Sequence, residues 1–578
     1  MRSDDGFRVR PGRIRSRAGQ RTRPFILQAL AAAQQAGGHI SRRGRIISPR
    51  HSAFGRGRSA SIRADRLITG RSRGVVVKAR VVRQFRGSAP LHAHLGYLRR
   101  EGVTRDGERA KMFGPDTEKV DHDAFAERCK DDRHHFRFIV SPDDAYELGD
   151  LKSFARSLMG DLEHDLGTKL DWIGVDHWNT EHPHVHIILR GVADDGENLV
   201  ISRDYIRNGM RDRASDILTQ ALGLRTDQDI RQTIERQVDT ERWTQLDRQL
   251  ARDADRHGFV DLAPHPDGRQ DEFLTHKVGR LRKLESLGLA NEIRPGQWMM
   301  ADEAESTLRA LGERGDIIKR LHRSLAEQGI DRPTADYVLA AEIGTPVLGR
   351  LLERGLDNEL HGSAYAIVDG IDGRVHHIRF QNLGAAGDST PGSMVELRRY
   401  EDSTGRGRLA LAIRSDLSID EQVRAGGATW LDRQIVAREP VELGEGGYGR
   451  VVRQALKNRV DHLIGQDLAR REGQRAIPAR NLIETLSSRE VDALAAKLSA
   501  ETGLQFKKSG DGGQIAGIYQ RRFSLASGRF AMIDDGLGFR LVPWSPSLDR
   551  HLGRHVSGVA QGSRGIEWNA GRKRSLGI

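Results

Sequence analysis

One cysteine, Cys129, stands in 578 residues. That excludes an intrachain disulfide framework and a multi-cysteine zinc site, and it fits a reducing cytosol. Long apolar runs are missing too. None approaches the ~20 residues that a membrane helix needs, so no membrane insertion is expected. The apolar stretch Phe25–Ala33 follows arginines, but Gln28 interrupts it and it is not read as a signal peptide. Aromatic residues make up 5% and apolar residues 37% of the chain, so the cores are lean; charged residues, at 30%, must cover much solvated surface. The length implies several domains.

The net charge is +13, and it is unevenly placed. Residues 1–75 hold 18 Arg and 3 Asp, a balance of +15, which leaves −2 for the remainder. The basic character therefore belongs to an arm rich in Arg, Gly and Ser, too polar to fold alone. Its chemistry suits nucleic-acid phosphates; the alternative is a solubilising segment.

Order is expected from Gly74. Gly74–Arg83 is β-branched and reads as a strand. From Ala89 to Glu101 the spacing Leu91, Leu95, Leu98 marks one helical face, ended by Gly102. Tyr97 falls on the flank of that stripe, and His94 is read as an exposed helix histidine. Residues 103–130 read as a polar loop. His135–Val140 alternates as a strand, and Ser141-Pro142 signals a helix start, with the helix running to about Gly167. Leu170–His177 and His184–Arg190 read as an antiparallel strand pair, and 202–222 as a helix. After 235, a helix over 279–289 and a hairpin through Pro295-Gly296, anchored by Trp298, suggest a winged helix, or simply a structural helix and hairpin. An Asp372-Gly373 turn marks a small β module over 363–402. Helices are expected over 417–437 and 450–503, and a meander over 514–543. No internal repeat is apparent.

The expected architecture is a multidomain α+β protein: a disordered basic arm (1–73); a domain with a central antiparallel sheet and flanking helices (74–235); a helical region with the winged-helix candidate (236–345); a small β module plus helix (346–440); and an α+β C-terminal region with a basic tail at Arg572-Lys573-Arg574 (441–578).

The most informative segment is His177 to His186, where four of ten residues are histidine, followed by Ile187-Ile188-Leu189. Period-two alternation puts His184 and His186 on one sheet face and Val185, Ile187 and Leu189 on the other. Two imidazoles on a rigid strand make half of a metal site. His177, from the preceding strand, is the third ligand candidate, and His182 is its rival. Such a site keeps positions open for a substrate phosphate. Around it, His182, Asp176 and Glu181 are candidates for orienting a ligand or touching DNA. Trp172 and Trp178 are candidate stacking platforms, Trp172 more plausibly core. Tyr146 and Tyr205 read as structural, and Cys129 as a bystander.

Three stretches together resemble the relaxases, the mobilization endonucleases of the HUH superfamily, and are most similar to the branch containing the agrobacterial T-DNA border endonuclease. Tyr97-Leu98-Arg99-Arg100-Glu101-Gly102 is similar to the nucleophile motif. His135–Ser141 resembles the strand entering the second motif. His177–His186 resembles the third, whose metal histidines map to His177, His184 and His186. The likeness covers roughly 74–235. The remainder resembles a long C-terminal region of uncharacterised function in one relaxase subgroup, chiefly through Phe539-Arg540-Leu541-Val542-Pro543-Trp544. The resemblance implies an HUH-fold enzyme that uses Mg2+ or Mn2+ and the Tyr97 hydroxyl to nick and rejoin one strand at an origin of transfer. It further implies partners: single-stranded and duplex DNA, accessory relaxosome proteins and a type IV coupling protein. The protein would be cytoplasmic and then translocated to a recipient cell on the DNA. Two departures stand out. Relatives often carry acidic residues between the first histidine and the pair, whereas that stretch here includes Asn179 and Glu181, so an outer acid role shifts to Glu181 or Asp176; and the tyrosine lies far from the N-terminus. Other readings are a histidine-triad nucleotide hydrolase or transferase, which leaves His177 and Tyr97 unexplained, a rolling-circle initiator, and a DNA-binding regulator with a structural metal.

Overall fold

A computed structural model describes residues 71–83, 89–99, 104–105, 110–178, 182–263, 273–339, 347–401, 405–473, 475–508, 513–560 and 566–568. The chain divides into two compact units, Met1–Leu308 and Arg309–Ile578. Both mix helices with sheets that are antiparallel apart from one short parallel edge strand in the second unit, as a multidomain α+β chain should. No described helix is long and apolar enough to cross a membrane.

In the first unit, strand β1 (Val75–Arg83) leads to helix α1 (Ala89–Leu98), a short helix α2 (His122–Arg128) and strand β2 (His134–Pro142). A single turn, α3 (Ala145–Leu148), and helix α4 (Leu151–Leu166) follow, then strands β3 (Trp172–His177) and β4 (His184–Arg190) and helix α5 (Met210–Leu222). The sheet order is β1-β2-β4-β3, antiparallel throughout. One face packs Phe136, Phe138, Trp172, Val185, Ile187 and Leu189 against α4 and α5. The other packs Ile173, Val175 and Ile188 against Leu91, Leu95 and Leu98 of α1. Burying the α1 stripe alone, at ~25 cal/mol per Å2 of apolar surface, stabilises by several kcal/mol.

Several expectations need correction. The arm ends earlier than 73, because Arg73 is 9% exposed. Its guanidinium donates to Asp144 (2.7 Å) and to the Gly223 carbonyl (3.0 Å). The rest of the arm and Gly102 lie outside the described residues. Residues 103–130 are not all loop: Asp121 caps α2, which buries Phe125 and Ala126. Ser141-Pro142 does not start a helix. Pro142 pairs with Val75 at the end of the β1–β2 ladder, so the cap role passes to Asp150, whose carboxylate accepts from the Lys152 and Ser153 amides. Gly167 ends α4 in the left-handed region at φ 68°.

Three further helices close this unit: α6 (Asp227–Val238), α7 (Gln245–His257) and α8 (Leu274–Ser286). Between and after them run β5 (Val260–Asp261), β6 (Ala290–Arg294) and β7 (Gln297–Met300), in the order β5-β7-β6. The hairpin turns at Gly296 (φ 79°), and Trp298 is buried beneath it. The unit boundary falls inside helix α9 (Ala304–Glu327).

The second unit begins with a six-stranded sheet: β8 (Tyr337–Val338), β9 (Leu348–Asn358), β10 (Ser363–Gly370), β11 (Val375–Phe380), β12 (Met394–Glu401) and β13 (Gly407–Ser415). The expected Asp372-Gly373 turn joins β10 to β11, with Gly373 at φ 89°. Helices α10 (Ile419–Arg424), α11 (Trp430–Ile435) and α12 (Gly447–Ile464) follow. The expected helix over 450–503 is two helices, because the hairpin β14 (Ala469–Glu472) and β15 (Arg475–Pro478) separates α12 from α13 (Leu482–Thr502). The chain closes with β16 (Gln514–Leu525), β17 (Gly528–Asp534), β18 (Phe539–Pro543), β19 (His555–Ala560) and β20 (Ile566–Trp568) in one sheet. Phe539, Leu541 and Val542 are core residues of it.

Each unit contains a fully buried arginine clamp. Arg280 on α8 grips Asp247 (2.8 and 2.9 Å) and donates to the carbonyls of Val238, Thr240 and Arg242. Arg459 on α12 grips Asp432 (2.8 Å twice) and donates to Val423, Ala425 and Gly427. Thr244 caps α7 and Thr429 caps α11, each in a reciprocal box with its aspartate. The absence of an internal repeat is thereby corrected: the two clamps match partner for partner.

Removing one member of such a pair strands a buried charge. Arg459→Ala should therefore cost about 3–5 kcal/mol in urea unfolding, and a loss below about 1 kcal/mol would mean that the clamp is dispensable. A second prediction concerns pH. His135 is 2% exposed, its Nε2 accepts from Arg137 Nε (3.0 Å), and burial, with the Arg137 and His134 charges, pushes its pKa down to about 3. The unfolded ring titrates near 6.5 and the folded ring far lower. The stability is thus present above pH 6.5 and lost as pH falls towards 3. This ring alone should remove about 1 kcal/mol between pH 6.5 and 5.5. His135→Gln should flatten that part of the stability–pH curve, and an unchanged curve would refute the assignment.

Candidate metal centre

The β3–β4 register builds the histidine cluster. His177 lies opposite His184, and Val175 opposite His186. Cross-strand partners share a sheet face, so all three imidazoles project to the α1 side. Their ring centroids are 4.6 Å (His177–His186), 4.8 Å (His184–His186) and 5.4 Å (His177–His184) apart. One ligand atom from each lies within 4.8 Å of the others. His177 is fully buried, His186 is 2% exposed and His184 is half-buried.

Hydrogen bonds set the tautomers. His177 Nε2 donates to the Leu98 carbonyl at 2.8 Å, so its lone pair is on Nδ1. His184 Nδ1 donates to the His182 carbonyl at 2.9 Å, so its lone pair is on Nε2, 3.1 Å from His186 Nε2. Two nitrogens bound to one cation at about 2.0–2.1 Å would stand roughly 3 Å apart at right angles. The donor set and its spacing therefore fit a divalent ion. Each backbone carbonyl fixes a ring orientation in the way that outer partners of metal ligands do.

The Leu98 bond also ties the end of helix α1, whose penultimate residue is Tyr97, to the histidine cluster. Leu98 is the last residue of α1, and its carbonyl is among those left without an intrahelical partner. Tyr97, next to it, is half-buried against the cluster of Leu91, Leu95, Leu98, Ile173, Val175 and Ile188. His94, one turn earlier, is 6% exposed, against the expectation of an exposed ring.

The other candidates fall differently. Asp176 is on the opposite face, where it accepts from the Trp178 indole at 2.7 Å; it does not orient a ligand imidazole. Trp178 is 8% exposed, in the core beneath the Arg105 guanidinium (3.7 Å from the ring centroid), and so is no open stacking platform. Trp172 is core. His182 is exposed, and its carbonyl, not its ring, holds His184. Ser141 Oγ donates to the Pro183 carbonyl (3.1 Å), which steadies entry into β4. Glu181 lies outside the described residues. Tyr205 is buried and donates to Asp165 (2.7 Å), while Tyr146 is exposed. Cys129 is buried, and desolvation holds its thiol up at about 12, which makes it inert.

Sequence reasoning missed the charge beside the cluster. Ile139 lies opposite His186, so the histidine face runs on across β2 through Arg137 and His135 and across β1 through Lys78 and Arg80. Arg137 is 7% exposed, and burial, then the Arg80 charge, lowers its pKa to about 10. The signal was present as paired basic residues two apart on each strand, Lys78/Arg80 and His135/Arg137.

Among curated proteins and among solved structures, nothing matches this chain. One family model does, over residues 277–407 and 397–577. Together these spans exceed half of the 578 residues. The chain belongs to the family described as protein of unknown function DUF3363.

Proposed function

We propose that the first unit is a metal-dependent DNA strand transferase of the relaxase type, with Tyr97 as nucleophile and His177, His184 and His186 as ligands of Mg2+ or Mn2+. The observation that carries the reading is the hydrogen bond from His177 to Leu98, which joins a ligand imidazole to the residue after the tyrosine. When bound, the divalent ion supplies positive charge at the scissile phosphate.

The chain's own residues supply the rest. Exposed Lys78 and half-buried Arg80 continue the histidine face in a direction that a single strand's phosphates can follow, and buried Arg137 adds positive charge beneath them. The Tyr97 oxygen attacks phosphorus, forming an O–P bond as the P–O3′ bond breaks. The phenol gives up its proton and the departing O3′ gains one, leaving a 3′-hydroxyl and a 5′-phosphotyrosyl link. The phosphodiester energy is kept, so the reverse attack reseals the strand. In this reading the protein acts in the cytoplasm at an origin of transfer, with relaxosome proteins and a type IV coupling protein as partners, and travels on the 5′ end.

Incubation with single-stranded oligonucleotides tiled across an origin of transfer and Mn2+, followed by peptide mapping, tests this. The expected adduct is on Tyr97. Tyr97→Phe should abolish it, His184→Ala should lower it at least 100-fold, and a chelator should remove it. An adduct on another residue, or cleavage that survives the chelator, contradicts the reading.

A further inference from the structure

Residues 227–301 and 419–479 are two copies of one module. Thr244, Leu246, Asp247, Arg248 and Gln249 recur as Thr429, Leu431, Asp432, Arg433 and Gln434. Arg280, Leu284, Leu289 and Ala290 recur as Arg459, Leu463, Leu468 and Ala469. The backbone bonds recur with them. Leu289 N donates to the Leu284 carbonyl (2.8 Å) and Leu468 N to Leu463 (2.9 Å). After each hairpin the chain returns to the same place, through Ala301 N to the Leu289 carbonyl (3.0 Å) and Ala479 N to Leu468 (2.9 Å). Each copy is thus a clamped helix followed by a β-hairpin, the layout of a winged helix.

The copies differ at the hairpin. The first carries Glu292 and Arg294, a balance of zero, and packs on Trp298 and a third strand. The second is a bare two-stranded ribbon with Arg470, Arg471 and Arg475 against Glu472 alone, and Arg480 follows it. All four arginines are exposed. Arg470 meets Glu472 (2.9 Å) and Arg471 meets Asp461 (2.6 Å), but exposed pairs are weak and are readily exchanged for phosphate. The preceding helix α12 adds exposed Arg450 and Lys457.

We infer that the 419–480 module binds duplex DNA, with the arginine hairpin lying along the phosphate backbone. Charge complementarity selects this partner. A two-stranded ribbon has little stability of its own and little apolar surface to offer a protein, whereas clustered arginines at the end of a helix suit closely spaced phosphates. The site is in the second unit and does not rest on the tyrosine–histidine reading.

The test uses the full-length protein and a labelled random-sequence DNA duplex, with anisotropy followed across NaCl concentrations. The comparison is R470A/R471A/R475A. The basic N-terminal arm is common to both proteins, so the difference isolates the hairpin. The slope of log K against log[salt] should become shallower by about 2–3, at ~0.9 per phosphate contact, and affinity at 100 mM salt should fall at least tenfold. R470K/R471K/R475K should keep most of the slope, which separates charge from folding. Phosphotyrosyl formation on a short single strand should not change in either variant. An unchanged slope and affinity in the alanine variant would overturn the inference. So would an equal loss on an RNA duplex of the same sequence, which would assign the hairpin to RNA.

Discussion

A single hydrogen bond, from His177 Nε2 to the carbonyl that ends helix α1, sets the arrangement of the first unit's site. It joins two elements that the sheet face requires to be different. Along β4 that face reads His184, His186, Ile188; along β3 it reads His177, Val175, Ile173. The apolar end must be covered, and the stripe of Leu91, Leu95 and Leu98 covers it. The polar end must be satisfied, and the helix C-terminus, whose carbonyls lack intrahelical partners and carry partial negative charge, meets it there. The helix end also favours positive charge nearby, whether imidazolium or metal ion.

Much of this was legible in the sequence. The i, i+2 histidines, the leucine stripe and the β-branched strands report their own periodicity, and the strand pair returns His177 opposite His184 as expected. What was not legible depended on tertiary partners. Ser141-Pro142 carries a helix-start signal, but the ladder with Val75 claims Pro142 for a strand. Trp178 looked free to stack on bases, but Asp176 takes its N–H and the core takes its ring. Helix α2 is too short for its spacing to show, since only Phe125 and Ala126 are buried. The duplication was hidden because the aspartate and arginine of the clamp are 33 residues apart in one copy and 27 in the other. Only the folded chain aligns them.

The family assignment covers residues 277–577, and the structure gives that stretch an architecture. A buried arginine with all its neighbours fixed is costly to desolvate and is retained only where the geometry is fully met. Meeting it twice, with the same capping threonine and the same three carbonyls, pins three helices in each copy and leaves the hairpin free to vary. One hairpin became a packed three-stranded sheet and the other an exposed basic ribbon.

The central claim is that the three imidazoles share one divalent cation beside the end of α1. Crystals grown with Mn2+, with anomalous scattering recorded above the manganese edge, test it most directly. The account predicts one strong peak within coordination distance of a ring nitrogen from each of His177, His184 and His186, with the Leu98 carbonyl still bonded to His177. No peak there at saturating Mn2+, or a peak held by other residues, would contradict it.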